Sequence, residues 1–93
     1  MDSYRIFETL TFRQDLERIG RAGLNRLIDK LHSRVYPQLR TEPHLGPQIK
    51  RLRNWEPPTW RYRIGSWRFF FEIDEVKRVV SMTAADHRGS AYR

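Results

Sequence analysis

Residues 60–71, Trp-Arg-Tyr-Arg-Ile-Gly-Ser-Trp-Arg-Phe-Phe-Phe, constrain the fold more than any other stretch of the chain. Large apolar and basic residues alternate, the pattern breaks at Gly65-Ser66, and then it resumes. Alternation with a period of two puts successive side chains on opposite faces of a strand. A Gly-Ser pair between two such runs predicts a two-residue hairpin turn, with the glycine adopting the positive φ that the turn needs. This turn pairs Ile64 with Trp67, Arg63 with Arg68, Tyr62 with Phe69 and Arg61 with Phe70. One face then carries Trp60, Tyr62, Ile64, Trp67, Phe69 and Phe71, and the other carries Arg61, Arg63, Arg68 and Phe70. Like charges directly across a sheet cost a few tenths to about 1 kcal/mol per pair. A face that sets guanidinium groups against one another is suited to receive an anion.

The remaining elements follow from period and punctuation. Residues 4–8 read as a first short strand. Thr11 and Gln14 have capping-box spacing for a helix start, and Phe12, Leu16 and Ile19 then recur as one buried stripe. Gly20 and Gly23 suit a turn between two helices. Leu24, Leu27, Ile28, Leu31 and Val35 form the stripe of a second helix, which Pro37 is expected to stop. Residues 37–58 hold Pro37, Pro43, Gly46, Pro47 and Pro57-Pro58 and read as a connection, with at most a brief strand or turn at Ile49-Lys-Arg-Leu-Arg53. Strands at 59–64 and 67–73 form the hairpin, a turn spans Asp74 to Lys77, and a fourth strand covers 79–85. The expected fold is α+β in the order β-α-α-β-β-β. A two-helix hairpin packs on one face of a mostly antiparallel four-stranded sheet, within a single domain spanning residues 1–93.

With the aromatic face under the helices, the arginine face is left to solvent. Between Lys50 and Arg68 the chain has six basic residues (Lys50, Arg51, Arg53, Arg61, Arg63, Arg68) and one acid, Glu56. A solvated sheet face is the plain alternative. The scarcity of acids and the interleaved aromatics favour a binding surface instead. The formal charge of +7 agrees, since a strongly basic balance points to nucleic acid, an anionic membrane surface or an acidic protein. No run of membrane-spanning length and no signal-peptide apolar region occurs, so a cytoplasmic location and no membrane partner are expected. With no cysteine, disulfides and thiolate metal sites are excluded.

His32, His44 and His87 are far apart in sequence with no carboxylate at ligand spacing, so no metal or other cofactor is expected. His32 reads as a boundary residue of the second helix and His44 as a solvated loop residue. His87, Arg88 and Tyr92 follow the last strand closely. An imidazole, a fixed cation and a phenol on one segment suit acid–base work on a phosphate ester. The competing reading is a frayed basic tail with the tyrosine packed on the core.

Ile49-Lys-Arg-Leu-Arg53, Trp60-Arg-Tyr-Arg-Ile-Gly-Ser-Trp-Arg68, Phe71-Glu-Ile-Asp74, His87-Arg88 and Tyr92-Arg93 together resemble the RelE/ParE family of bacterial toxins, over nearly the whole chain. The family has two activities: RelE-like members cleave mRNA in the ribosomal A site, and ParE-like members poison DNA gyrase. For the cleaving branch the resemblance implies metal-free attack of a ribose 2′-OH on the adjacent phosphate, leaving a 2′,3′-cyclic phosphate. Arg61, Arg63, Arg68 and Arg88 match the family's basic catalytic cluster, and Tyr92 matches its C-terminal tyrosine. Some RelE-like toxins carry lysines on the second strand, one acting as a base, where this chain has Arg61 and Arg63. Arginine stays protonated, so His87 is the expected base, with Tyr92 orienting or donating to the leaving oxygen and Glu72 a secondary candidate. Lys50, Arg51, Arg53 and Phe70 are expected to bind RNA. The expected partners are the ribosome, mRNA and a cognate antitoxin, acidic and partly disordered. The alternatives are a gyrase inhibitor or a non-catalytic nucleic-acid-binding member of the fold.

Overall fold

The structure, a computed structural model, describes residues 3–87. Five strands form one sheet: β1 (Arg5–Glu8), β2 (Ile49–Arg51), β3 (Trp60–Ile64), β4 (Trp67–Asp74) and β5 (Val79–His87), in the order β1-β5-β4-β3-β2. β1 runs parallel to β5, and the other neighbours are antiparallel. The expected four strands are thus five. The additional one, β2, is three residues long, too short to show a period in sequence. It is a strand because Lys50 and Arg51 pair with Arg61 and Trp60. The β3–β4 register matches the expected hairpin at every pair, and Gly65 takes the positive φ, 59°.

Helix α1 (Leu10–Arg21) is capped by Thr9, not by Thr11. The Thr9 hydroxyl accepts from the Phe12 amide at 3.1 Å, while the Thr9 amide donates to the Met82 carbonyl at 3.1 Å. The cap therefore sits where the chain leaves β1 and is also tied to β5. Helix α2 comprises Asn25–Lys30, a π-helical stretch Leu31–Val35 and Tyr36–Thr41, joined through helical backbone. Pro37 does not stop it. Leu27, Leu31, Val35 and Leu39 are buried at a strict spacing of four. At 3.6 residues per turn such a spacing drifts around an α-helix, and a wider i→i+5 turn takes up the drift. That wider turn lies immediately before Pro37, where the proline ring would otherwise meet a carbonyl of the preceding turn.

The core lies between the helices and one sheet face, with Phe12, Ile19, Leu31, Phe69, Phe71 and Met82 fully buried. Phe12 and Phe69 meet edge to face, with centroids 6.2 Å apart. Between β4 and β5 the register shifts, so that Phe70 pairs with Ala84 and Phe71 with Met82. Thr83 is the extra residue of a bulge, which lets Met82 and Ala85 both face the core. The Asp15 carboxylate of α1 accepts the Ala85 amide beside this bulge at 2.9 Å and also pairs with Arg18 at 2.8 Å.

Candidate nucleic-acid interface

Two rows of side chains cross the sheet face turned away from the core. Cross-strand partners share a face, so one row reads Lys50, Arg61, Phe70, Ala84 and the next Arg63, Arg68, Asp86. The expected guanidinium pair, Arg63 opposite Arg68, is present. An acid from outside the basic Lys50–Arg68 segment also reaches this face: β5 brings Asp86 directly across from Arg68.

Lys50, Arg51, Arg53, Arg61 and Arg68 line one depression of about 490 Å³, together with Leu52 and Trp55. The Arg61 guanidinium donates to the Gln48 carbonyl at 2.7 Å, which holds its side chain along the β2–β3 edge. Arg51 stands at the rim, its guanidinium 5.9 Å from the centre of the Trp60 ring. The loop after β2 folds back over the sheet, and Trp55 lies flat on Phe70 at a centroid distance of 5.5 Å and an angle of 19°. Phe70 is only 4% exposed, against 37% for Trp55. The ring this face presents to solvent is therefore Trp55 and not Phe70. A lone tryptophan in a loop ending Pro57-Pro58, where no helix or strand needs it, was the available signal.

Arg63 lines a different cleft, of about 180 Å³, with Lys30 and Arg34 of α2, Gln48, Tyr62 and Gly65. His87 ends β5 opposite Trp67, on the helix-facing side of the sheet, whereas Arg68 and Asp86 point the other way. Its ring meets Trp67 edge to face at 5.4 Å, and Nε2 lies 2.9 Å from the Ser66 hydroxyl. The structure thus brings Arg61 and Arg68 together with Lys50, Arg51 and Arg53 in one depression. Arg63 is across from Arg68 on the same face but lines the other cleft, and His87 lies on the opposite side of the sheet. Arg88 and Tyr92 lie outside the described residues.

His44 is not a solvated loop residue. Its Nδ1 lies 2.9 Å from Glu42 and its Nε2 2.5 Å from Glu75, and its ring packs edge-on against Tyr4 and Trp60. Burial opposes its protonation, but the hydrogen bonds and charges of Glu75 and Glu42 outweigh this and hold its pKa above the ordinary value. The His44 amide and ring pull the Glu42 carboxyl below the usual range, and the Tyr4 hydroxyl and His44 do the same to Glu75. Glu72, with His44, Trp60 and Glu75, lines a neighbouring depression of about 480 Å³ rather than the arginine depression. Tyr36 donates a very short hydrogen bond to Glu8, and burial together with that carboxylate raises the phenol pKa strongly. Among the described residues no group of three histidine, aspartate or glutamate side chains is placed to hold a metal, and no helix is long and apolar enough to cross a membrane.

Comparison with known proteins gives a consistent picture. The family model described as the ParE toxin of the parDE type II toxin–antitoxin system matches residues 6–92. A search of curated proteins gave no significant match. The fold is similar to a chain of the RelBE2 toxin–antitoxin complex from Mycobacterium tuberculosis, with a TM-score of 0.70, 27% identity and 97% of each chain covered. It is also similar to the archaeal RelE–RelB complex from Pyrococcus horikoshii OT3, with a TM-score of 0.66 and 18% identity over 95% of this chain and 98% of that one. A third likeness is to the RelB–RelE antitoxin–toxin complex from Methanococcus jannaschii, with a TM-score of 0.53 and 20% identity over 92% and 94% of the two chains.

Proposed function

This chain belongs to the RelE/ParE family of type II toxin–antitoxin toxins, and from that premise we propose that it arrests translation by cleaving mRNA on the ribosome. The observation that carries this reading is the convergence of Lys50, Arg51, Arg53, Arg61 and Arg68 around the exposed Trp55 in a single depression. Cations recruit the phosphate backbone, and an exposed aromatic ring stacks a splayed base.

In this reading the ribose 2′-oxygen bonds to the adjacent phosphorus and the bond to the 5′-oxygen breaks. The products are a 2′,3′-cyclic phosphate and a 5′-hydroxyl. The 2′-OH gives up a proton, and the departing 5′-oxygen takes one. Negative charge on the phosphoryl oxygens grows toward the transition state, so Arg61 and Arg68 stabilise that state more than the bound substrate. Arginine cannot accept the 2′-proton, and among the residues lining the depression only the Lys50 amine is able to. We assign the base role to Lys50 rather than to His87, whose ring lies across the sheet against Trp67. Arg88 and Tyr92 keep the roles the family likeness implies: charge stabilisation for Arg88, and orientation of or donation to the leaving oxygen for Tyr92.

A second reading, inhibition of DNA gyrase, draws on the description of the matching family model as a ParE toxin. Controlled expression followed by mapping of transcript 5′ ends separates the two. New 5′-hydroxyl ends within coding regions support cleavage, whereas intact messages with trapped gyrase–DNA complexes support the gyrase reading. The solved relatives are toxin–antitoxin complexes, which supports a cognate antitoxin as partner here. An acidic, partly disordered segment would suit the basic face and order on binding.

A further inference from the structure

We infer that the cleft between α2 and the hairpin edge, lined by Lys30, Arg34 and Arg63, is a second phosphate site that holds the same RNA strand after it leaves the arginine depression. The inference rests on the proposed RNA target and extends it to a surface for which the cleavage chemistry has no use. Three cations border a space of about 180 Å³ whose lining includes no acid. None of the three forms an ion pair with a described residue, whereas Arg18 and Arg78 are each within reach of a carboxylate. Like charges gathered without counter-charge repel one another, and a bound anion relieves that repulsion.

The cleft has polar recognition groups as well as charge. Tyr62 and Gln48 line it, and Arg34 is close enough to the Tyr62 phenol to offset part of the pKa rise that burial imposes. Gln48 also joins the two sites. Its carbonyl accepts the Arg61 guanidinium at 2.7 Å and the Arg63 amide at 3.0 Å, and the same residue lines the cleft. The Gln48 carbonyl therefore links Arg61, which lines the depression, to the cleft that Gln48 and Arg63 line. A strand lying over Gln48 meets Arg61 on one side and Arg34 and Lys30 on the other. This continuity favours a second phosphate of one strand over a carboxylate from a separate peptide.

The test uses the purified toxin, 2′-O-methyl RNAs that resist cleavage, and the exposed helix residues Lys30 and Arg34. Lys30→Gln with Arg34→Gln should leave trinucleotide binding unchanged and weaken decanucleotide binding about tenfold. The slope of log affinity against log salt for the longer RNA should fall by about 0.7 for each phosphate that the variant no longer neutralises. Arg34→Lys, which keeps the charge, should retain most of the affinity, and the unfolding midpoint should not move. If Arg61→Ala with Arg68→Ala abolishes binding while the helix variant binds the decanucleotide normally, the cleft assignment is wrong and the proposed function stands. If neither variant alters RNA binding, or the unaltered toxin binds neither RNA, both are wrong. Weaker capture of a polyglutamate peptide by the helix variant, with RNA binding intact, would assign the cleft to a protein partner and overturn the inference.

Discussion

Trp55 covers Phe70 face to face, at 5.5 Å and 19°, so that a loop residue closes a sheet face that alternation alone leaves open. Trp55 thus lies on the buried Phe70 ring, is itself 37% exposed, and is one of the residues lining the cationic depression. Stability and RNA stacking are therefore expected to depend on the same ring, to different degrees.

Trp55→Ala should cost about 1–3 kcal/mol of RNA binding if a base stacks on the ring. It should also lose about 0.5–1.5 kcal/mol of folding stability from the aromatic pair alone. Trp55→Phe should restore most of both. Affinity for single-stranded RNA and a urea melt on each variant measure the two effects separately. Unchanged RNA affinity in Trp55→Ala would remove the ring from the interface.

Arg61→Ala or Arg68→Ala should reduce cleavage about 100-fold or more, because each removes a cation that acts most strongly in the transition state. Lysine at either position should recover part of the rate, since it keeps the charge but loses the two-pronged donor geometry. Single-turnover cleavage on programmed ribosomes is the measurement. A loss confined to binding, with the rate at saturation intact, would make these residues anchors only.

Lys50→Arg separates charge from proton transfer. Arginine retains the phosphate contact but does not accept a proton, so binding should persist while the cleavage rate falls by about 100–10,000-fold. Full activity in Lys50→Arg would return the base role to another residue.

Asp15 joins α1 to the bulged end of β5 through the Ala85 amide. Asp15→Ala leaves that buried donor without an acceptor, which costs about 1–3 kcal/mol. A shift of about 4–8 °C in Tm is expected per kcal/mol in a domain of this size. The Arg18 contact adds little, because Arg18 is largely exposed. Asp15→Asn keeps an acceptor and should lose less. Thermal unfolding by circular dichroism decides, and equal losses in the two variants would mean that the negative charge itself matters.

The His44 cluster gives stability a pH optimum. His44 has a raised folded-state pKa, so its contribution is complete below its ordinary value of 6.5 and disappears as pH rises through the higher folded value. Glu42 and Glu75 have lowered pKa values, so theirs is complete above the ordinary 4.5 and disappears as pH falls. All three act together between about pH 4.5 and 6.5. Arg78 and Tyr4 complete the surroundings, with the Arg78 guanidinium 4.3 Å from the centre of the Tyr4 ring. Denaturant melts from pH 4 to 9 should show a shallow maximum in that window, and His44→Gln should flatten its alkaline side.

The hairpin register, the α1 stripe of Phe12, Leu16 and Ile19, and the placing of Arg61 and Arg68 on one face were determined by the sequence alone. Each depends on residues a few positions apart, through strand alternation, helical period and a two-residue turn. Other features needed the assembled fold. Whether Ile49–Arg51 is a strand depended on β3 arriving beside it, and whether Pro37 ended a helix depended on a wider turn stabilised by core packing. The side His87 takes was decided by the β4–β5 register, which sets it against Trp67, and the burial of Phe70 was decided by a loop folding back over the sheet. Local periodicity orients a side chain relative to its own strand, but which neighbours then cover or accompany it is set by contacts between segments distant in the chain.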